Sequence, residues 1–429
     1  MAILSKPLTP KVATKKLTPS KTERDKLRHL KQNYLKRLSL SLSSTIVGAV
    51  TVLVLYLLLS LWRLSSLTSN KASLSELVTK HQLFIDSPWW KSLSYIYGPY
   101  YFLVHGIYAI HHSLFFIRLP SIIIGLAVTL IVYWLANEYY GHKIALLSSL
   151  MLITNFGFLA ISRQSNPVAT QLLLPIVLVA AVYSVWTWDS FFSLLLFATI
   201  SAFCLYIPGS LWLVAASGIF AFKDARQTLK ELDLKSKIGL LIVFFIAIGP
   251  LVYRLAIHFT NHQIANWLGY GLSGKLSALN SFGINLLRVP LNLFVYSSHM
   301  PLSIGHLPIM PIAEAVIILI GLYCYLVRIK NPKWNLMLIM ICLSWLVSGL
   351  GILSVYSLIP ILSIVMGAGL AYLLKEWYSV FPRNPIAKYA GFTLMSLIIL
   401  FSCFYSARSY FVAWANSPSV TSQYSKSIH

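Results

Sequence analysis

Acidic side chains are scarce in this chain. Its 429 residues include 11 Asp and Glu against 34 Lys and Arg, and charged residues make up only 10% of the total. A soluble domain carries about a quarter charged residues, so this composition excludes an ordinary soluble protein. It also means that a reaction needing a carboxylate base has very few candidates to draw on.

Cysteine provides neither a disulfide framework nor a metal-binding pattern. The four cysteines lie inside apolar runs and none forms a CxxC pair, which favours the role of small buried apolar residues. They are Cys204, Cys324, Cys342 and Cys403. We expect no cofactor and no divalent metal.

Apolar runs of 18 or more residues recur from residue 40 to residue 408. Each can cross the roughly 30 Å of a hydrocarbon core. The sequence therefore predicts an all-α polytopic membrane protein with about eleven transmembrane helices and two long outer loops, 63–117 and 259–309. The predicted spans are 40–62, 118–137, 143–162, 168–187, 190–207, 209–222, 238–258, 310–328, 334–352, 354–374 and 389–408.

The distribution of basic residues predicts the orientation of the chain in the membrane. Residues 1–39 contain eleven Lys and Arg and indicate a cytoplasmic arm that lies on anionic lipid rather than on nucleic acid. The aromatic stretch 97–113 is short, and we expect it in the interface and not across the bilayer. The transmembrane domain then covers 40–408, the tail 409–429 lies outside, and we expect a multi-pass protein of the plasma membrane.

Three carboxylates remain for the outer side: Glu76, Asp86 and Glu314. Asp86, in LFIDSPWW, has aromatic neighbours that could raise its pKa and make it a base. On position alone a turn aspartate before Ser-Pro is favoured. Glu314 lies near the outer end of a span, where it is either functional or favoured by the dipole at a helix start.

Basic residues at the ends of predicted spans are the other candidates for a functional site. Arg254, His258 and His262 have the spacing of one helix face and could hold a phosphate, while an arginine reaching the interface is the simplest interpretation. The histidine pair also has zinc-like spacing, but no acidic third ligand is near in sequence. Arg163 ends a predicted span within AISRQSNP.

Four segments carry a resemblance to a known family. They are RLPS at 118–121, YYGHK at 139–143, SR at 162–163 and GHLPIMPIAEAVIILIGLYCYLVRIKNPKW at 305–334. Together they resemble the polyprenyl-phosphate-dependent glycosyltransferases of the GT-C superfamily. The nearest groups are family 39, which is protein mannosyltransferase-like, and the lipid A aminoarabinose transferase-like proteins. The resemblance covers most of residues 80 to 375.

The resemblance implies a cell-envelope transferase on the outer face of the membrane. Such an enzyme moves a hexose or pentose from a polyprenyl-phosphate carrier to a hydroxyl on a glycan, lipid or protein. It assigns the base to Asp86, the one aspartate of the first outer loop. It places Arg163 beside the family's sugar-phosphate site, so we assign the donor phosphate to Arg163 and, from the helix-face spacing given above, also to Arg254 and His258.

The chain departs from the family pattern in its acids. The adjacent Asp-Glu pair of the first loop is absent, and no carboxylate follows the SR element. Either one carboxylate suffices, or Glu314 substitutes, or activity is lost. The last case predicts a catalytically degenerate protein that binds or transports a lipid carrier. A secondary transporter is a third hypothesis, although the charged candidates lie at the outer ends of spans and not at mid-membrane.

Overall fold

The computed structural model describes residues 44–64, 71–85, 89–258, 264, 267–268, 276–296, 304, 307–418 and 426–427. The predicted arm, 1–39, lies outside this described part. The chain divides into two compact units, Met1–Val47 and Gly48–His429. The architecture given below is that of the second unit.

The described part of the chain is almost entirely helical. Its α-helices are α1 (Ser44–Leu61), α2 (Leu74–Ile85), α3 (Gly98–Tyr108), α4 (Leu114–Tyr140), α5 (His142–Thr154), α6 (Phe156–Ser162), α7 (Val168–Trp188), α8 (Phe191–Cys204), α9 (Ser210–Glu231), α10 (Leu234–His258), α11 (Leu276–Phe294), α12 (Ile312–Val327), α13 (Pro332–Gly349), α14 (Ile359–Val380) and α15 (Pro385–Arg408). Short 3₁₀ helices occupy Trp89–Ser94 and Val355–Leu358, and a π-helical turn occupies Ser409–Trp414. Two-residue strands β1 (Lys71–Ala72) and β2 (Lys426–Ser427) pair antiparallel.

The prediction of an all-α polytopic membrane protein is confirmed. Within the described residues seven helices are long and apolar enough to cross a membrane, and α5 with α6 makes an eighth if that pair, bent by 64°, is one span. The other predicted spans fall on α8, α9 and α12. Of these, α8 and α12 are apolar but shorter than 18 residues, and the second half of α9 is charged.

The predicted outer loops contain helices of their own. Helix α3 has eleven residues, which is about 16 Å and too short to cross a bilayer. Helix α11 lies inside the predicted loop 259–309 and packs on α13, where the Trp345 indole N–H donates to the Leu286 carbonyl oxygen at 2.8 Å. Buried Val289 and Leu293 lie on the face of α11 that also carries Leu286, which is the spacing of an amphipathic helix.

Small residues let α12 and α14 approach closely. A Cβ added at Gly321 would overlap the carbonyl oxygen of Val365, and one added at Gly369 would overlap that of Ile317. The two glycines therefore act reciprocally across one interface, as small residues do where membrane helices touch. Helix α14 is buried along most of its length, whereas α10 is exposed along most of its own.

Basic turns gather at one end of the bundle, which we call the basic end. It comprises the α4–α5 turn at Gly141, the α12–α13 turn at 328–331 and the α14–α15 turn at 381–384. The Tyr139 hydroxyl donates to the Lys333 carbonyl oxygen at 3.3 Å, and His142, Lys375 and Lys388 line one cavity. The positive-inside tendency predicts that the basic end is cytoplasmic.

The opposite end, which we call the distal end, joins segments far apart in sequence. Here the α1–α2 connection meets the α6–α7 turn and the C-terminal tail. Arg163 donates from Nη2 to the Trp62 carbonyl oxygen at 2.5 Å, and Lys71 is paired with Ser427 in the β1–β2 register. The tail therefore returns to the end that carries the first predicted outer loop.

We expect Gly321→Ala to destabilise the protein by about 1–3 kcal/mol, the usual cost of overpacking a tight contact. The added Cβ would overlap the backbone of Val365, which cannot move aside as the end of a flexible side chain can. Gly239→Ala is the control, because a Cβ at this helical position meets nothing within 4 Å. Thermal unfolding in detergent measures both. Equal melting temperatures for the two variants would contradict the close approach of α12 and α14.

Candidate functional site

A buried ion pair lies at the distal end. The Arg118 Nε is 2.7 Å from Glu76 Oε1, and Nη2 donates to Oε2 at 3.0 Å, so the contact is bidentate. The third nitrogen, Nη1, donates to the Leu64 carbonyl oxygen at 2.5 Å. Both side chains are buried, and this is the one ion pair found among the described residues. Such a pair tolerates the loss of neither partner.

The start of α2 places Glu76. Ser73 and Glu76 form a capping box, in which the Ser73 N–H donates to Oε2 at 2.9 Å and the Glu76 N–H donates to Ser73 Oγ at 3.3 Å. The Ser165 N–H donates to Oε1 at 3.3 Å. Each carboxylate oxygen therefore accepts from Arg118 and from a backbone N–H. Glu76 is a structural junction in this arrangement, and its oxygens are not open to an acceptor.

Tyr100 of α3 completes the polar layer around the ion pair. Its hydroxyl is 3.0 Å from Ser121 Oγ and 3.2 Å from Ser165 Oγ. The Thr79 hydroxyl donates to the Ser165 carbonyl oxygen at 3.4 Å. Burial raises the pKa of the Tyr100 phenol above its ordinary value of 10, so the group is neutral at physiological pH. These bonds fix the α6–α7 turn on α2, α3 and α4.

Arg163 lies at the C-terminal end of α6 with part of its hydrogen-bonding capacity unused. Its side chain is 2% exposed, and Nη2 donates to the Trp62 carbonyl oxygen. The guanidinium carbon lies 5.1 Å from the ring centre of Tyr410 and 4.9 Å from that of Phe411. Nε and Nη1 are buried without a hydrogen-bond partner among the described residues. An arginine anchored in the interface would instead keep its charged head in contact with water.

The polar layer has an excess of positive charge. Arg163 and Arg118 are close enough to repel each other electrostatically. Among the described residues the one carboxylate in an ion pair with either arginine is Glu76, which pairs with Arg118. The two arginines and one glutamate sum to a single positive charge. A buried unpaired cation is costly, and an anion that accepts from Nε or Nη1 would relieve that cost.

An apolar cavity of about 240 Å³ adjoins this layer. Walls from α3, α4, α7 and α8 enclose it, and Tyr100 belongs both to the cavity lining and to the polar layer. At its edge Gln171 donates to the Tyr97 hydroxyl at 2.6 Å and accepts from the Ser354 N–H at 2.7 Å. Through Tyr100 the apolar cavity therefore meets the polar layer that holds the Arg118–Glu76 pair, and a polar layer beside an apolar cavity suits a ligand with a polar head and an apolar chain.

Glu314 lies outside the polar layer around Arg118 and Glu76. It is fully buried in the first turn of α12, where Ser402 Oγ donates to Oε1 at 2.9 Å and Asn155 Nδ2 donates to Oε2 at 3.5 Å. Asn155 also caps α6 by accepting from the Phe158 N–H at 3.2 Å. Arg163 is at the other end of the seven-residue α6, roughly 10 Å away along the helix axis. These hydrogen bonds explain how the buried Glu314 carboxyl group is accommodated without a catalytic role, and a catalytic role stays a prediction.

The remaining predicted residues are not brought to Arg163 by any described contact. The Arg254 guanidinium carbon lies 3.6 Å from the ring centre of Tyr95, so Arg254 packs on the segment that leads into α3. His258 ends α10, and its side chain lies outside the described part. Asp86 and His262 also lie outside it. Within the described part no cluster of three or more His, Cys, Asp or Glu could hold a metal ion.

The sequence contained signals for the pair that was not predicted. Ser73 and Glu76 have the S-x-x-E spacing of a capping box, which predicts a helix start at this point of the first loop. Arg118 opens an apolar run, and an ionisable group at that depth needs a partner. Both residues were visible as sequence features, and the pairing across 42 residues was not.

We expect Arg118→Met to destabilise the protein by about 3–5 kcal/mol, because it leaves the Glu76 carboxylate buried without its cation. The double variant Arg118→Met/Glu76→Gln should cost less than the sum of the two single variants. Denaturant unfolding in mixed micelles measures the stability of the wild type, of both single variants and of the double variant. Arg288→Ala, at an exposed arginine of α11, is the control. Additive costs would show that the two groups are not coupled.

Comparison with known proteins bears on part of the site. The family model described as dolichyl-phosphate-mannose-protein mannosyltransferase matches residues 99–298, which include Arg118, Arg163 and the walls of the apolar cavity. A search of curated proteins finds no significant match to this chain. The family match and the all-α membrane architecture confirm the resemblance drawn from the sequence, and they support the assignment of this chain to the GT-C superfamily of membrane glycosyltransferases.

Proposed function

We propose that this chain moves a sugar from a polyprenyl-phosphate carrier to a hydroxyl acceptor on the outer side of the membrane. The observation that carries the proposal is the state of Arg163, whose guanidinium is buried, lacks a carboxylate partner among the described residues, and has two nitrogens free of hydrogen bonds there. A phosphate oxygen accepts a strong, charge-assisted hydrogen bond from such a donor. The family match supports a transferase in general terms.

Arg163 is assigned to the donor phosphate. Nε or Nη1 can donate to a phosphate oxygen, while Nη2 remains bonded to the Trp62 carbonyl oxygen. Phosphate gains negative charge as its bond to the sugar breaks, so a cation held in a low-dielectric site stabilises the transition state more than the bound donor. The rings of Tyr410 and Phe411 keep the guanidinium in place and exclude water from its faces.

The prenyl chain is assigned to the cavity beside Tyr100. Its volume of about 240 Å³ is below the roughly 300–1,000 Å³ of a site that encloses a drug-sized ligand. The cavity therefore takes the segment of the chain next to the phosphate and leaves the rest in lipid. This arrangement places the headgroup at the polar layer without burying a long carrier inside the protein.

Asp86 is assigned the role of base. The acceptor hydroxyl oxygen attacks the anomeric carbon, the bond from that carbon to the phosphate oxygen breaks, and polyprenyl phosphate leaves with the electron pair. The acceptor proton passes to the Asp86 carboxylate. Attack opposite the leaving phosphate inverts the anomeric centre. Glu76 is assigned to structure, because its oxygens are occupied by Arg118 and by backbone N–H groups.

One observation favours a second candidate. The two described carboxylates that were predicted for the outer side, Glu76 and Glu314, are both fully buried and hydrogen-bonded. If Asp86 also has a structural role, the chain binds a lipid carrier without transferring the sugar. Both candidates require the phosphate contact at Arg163, and they differ only in whether Asp86 takes a proton.

The decisive experiment measures transfer and binding separately for Asp86→Asn. Transfer of labelled sugar from a panel of polyprenyl-phosphate sugars is followed in proteoliposomes, and binding of sugar-free polyprenyl phosphate is followed by quenching of tryptophan fluorescence. We expect Asp86→Asn to lose transfer by about 100-fold or more and to retain binding. Transfer by Asp86→Asn at the wild-type rate would show that Asp86 is not the base. Carrier binding without transfer from any donor in the wild type would establish the second candidate.

The phosphate contact has its own test. We expect Arg163→Ala to lower kcat/KM about 10- to 100-fold, which corresponds to one or two charge-assisted hydrogen bonds. Arg163→Lys should recover part of this loss, because it restores the charge but not the fork of donors. Arg408→Ala removes an exposed arginine near the same end and is the control. Full activity in both Arg163 variants would contradict the assignment.

A further inference from the structure

A cavity that plays no part in the proposed reaction lies at the basic end, far from the polar layer. It has a volume of about 940 Å³ and opens between the α4–α5 turn, the end of α14 and the start of α15. Lys143, Lys375 and Lys388 line it, one from each of these elements, together with His142. No Asp or Glu is among its described lining residues. Nothing in the proposed transfer reaction uses these groups.

The two long walls of the cavity repeat one pattern. On α14 the lining residues are Ala371, Leu374, Lys375 and Tyr378. On α15 they are Pro385, Lys388, Tyr389 and Phe392. Each set has the spacing i, i+3, i+4, i+7, which is one helix face. Each face therefore presents a lysine together with aromatic or alkyl side chains, and the cavity has a cationic rim over apolar walls.

The angle between these walls is fixed. The Trp377 indole N–H donates to the Ala387 carbonyl oxygen at 2.7 Å, and a Cβ added at Gly391 would overlap the Trp377 ring. Trp377 thus locks α14 to the first turns of α15 and keeps Lys375 and Lys388 on facing sides. The cations converge because of this packing, and not only because the loops at this end are basic.

The third side of the cavity is a helix start. Gly141 precedes α5 with φ +86° and supplies no side chain to cap the first N–H groups. Those N–H groups and the positive end of the α5 dipole add to the charge of Lys143. In contrast, Asn384 already caps α15 by accepting from the Ile386 and Ala387 N–H groups. The uncapped helix start and the lysines therefore favour the same kind of ligand, an anion.

The surroundings indicate a lipid in place of a free ion. Ile386 and Tyr389 on α15 are strongly exposed, so the first turns of this helix present an apolar surface beside the opening of the cavity. Cations that rim an apolar groove at the end of a membrane helix bundle match a phosphate headgroup above its acyl chains. We propose that this cavity binds the headgroup of an anionic phospholipid, with Lys143, Lys375 and Lys388 contacting the phosphate and α14 and α15 contacting the chains.

The proposal does not rest on the proposed transferase activity. By the positive-inside tendency the lipid belongs to the cytoplasmic leaflet. A lipid in this position would hold the α14–α15 turn against α5. It would thereby stabilise α14, which is buried along most of its length. Binding should therefore raise thermal stability as well as being saturable.

The test compares two variants with the same loss of charge. The first is Lys143→Gln/Lys375→Gln/Lys388→Gln in the cavity. The second is Lys223→Gln/Lys230→Gln/Lys235→Gln, which removes three exposed lysines at the same end but outside the cavity. The full chain is placed in nanodiscs of phosphatidylcholine, short-chain phosphatidylglycerol is titrated in, and affinity and melting temperature are measured. Inorganic phosphate is titrated in parallel.

We expect the cavity variant to bind phosphatidylglycerol about 100-fold more weakly than the wild type, the product of three lost contacts of about fivefold each. The control variant should bind within about threefold of the wild type, and inorganic phosphate should not raise the melting temperature. Equal losses in both variants would overturn the proposal, since they indicate nonspecific attraction. Equal stabilisation by inorganic phosphate would overturn it in favour of a soluble anion. If the triple variant does not fold, Lys388→Gln alone should weaken binding about fivefold, and unchanged affinity there would overturn the proposal.

Discussion

The distal end of the molecule depends on the ion pair between Arg118 and Glu76. Both charges are withdrawn from water, so each is tolerable only while the other is in place. The pair joins the start of α2 to the start of α4, and the Ser165 N–H adds the α6–α7 turn to the same carboxylate. A helix of the first loop, a long span and a turn between spans thus share one electrostatic junction. The position of Arg163, two residues before Ser165, follows from it.

The two ends of the bundle use positive charge in opposite ways. At the distal end Arg163 is buried against aromatic rings, with donors unused among the described residues. At the basic end many cations are present, and Lys143 and Lys375 are exposed around an open cavity. A buried arginine discriminates by geometry, because its donors have fixed directions. Exposed lysines attract by charge and adapt to the shape of what they meet.

Hydropathy was sufficient to predict most of the fold, and long-range pairing limited the prediction of the site. Runs of apolar residues identify the spans because a bilayer demands them. Helix α11 was missed because its apolar stretch, Phe282–Phe294, is too short to span a bilayer and was therefore assigned to an outer loop. Arg163 stood out as a cation between two apolar stretches, but its burial depends on Tyr410 and Phe411, which lie far along the chain. Glu76 was recognised as one of three outer acids, and nothing local shows that Arg118 saturates it. The role of Asp86 is still a prediction.

The C-terminal turn has a consequence for how the protein is made. Tyr410 and Phe411, which flank the guanidinium of Arg163, follow the last transmembrane helix, and Arg163 itself belongs to the first half of the chain. During synthesis Arg163 is therefore inserted long before the residues that will enclose it exist. Its surroundings form only after residues 410–411 have left the ribosome. A chain stalled before them could fold most of the spans described here and still leave this arginine open to water, so the synthesis of this late segment is a required step in building the distal end.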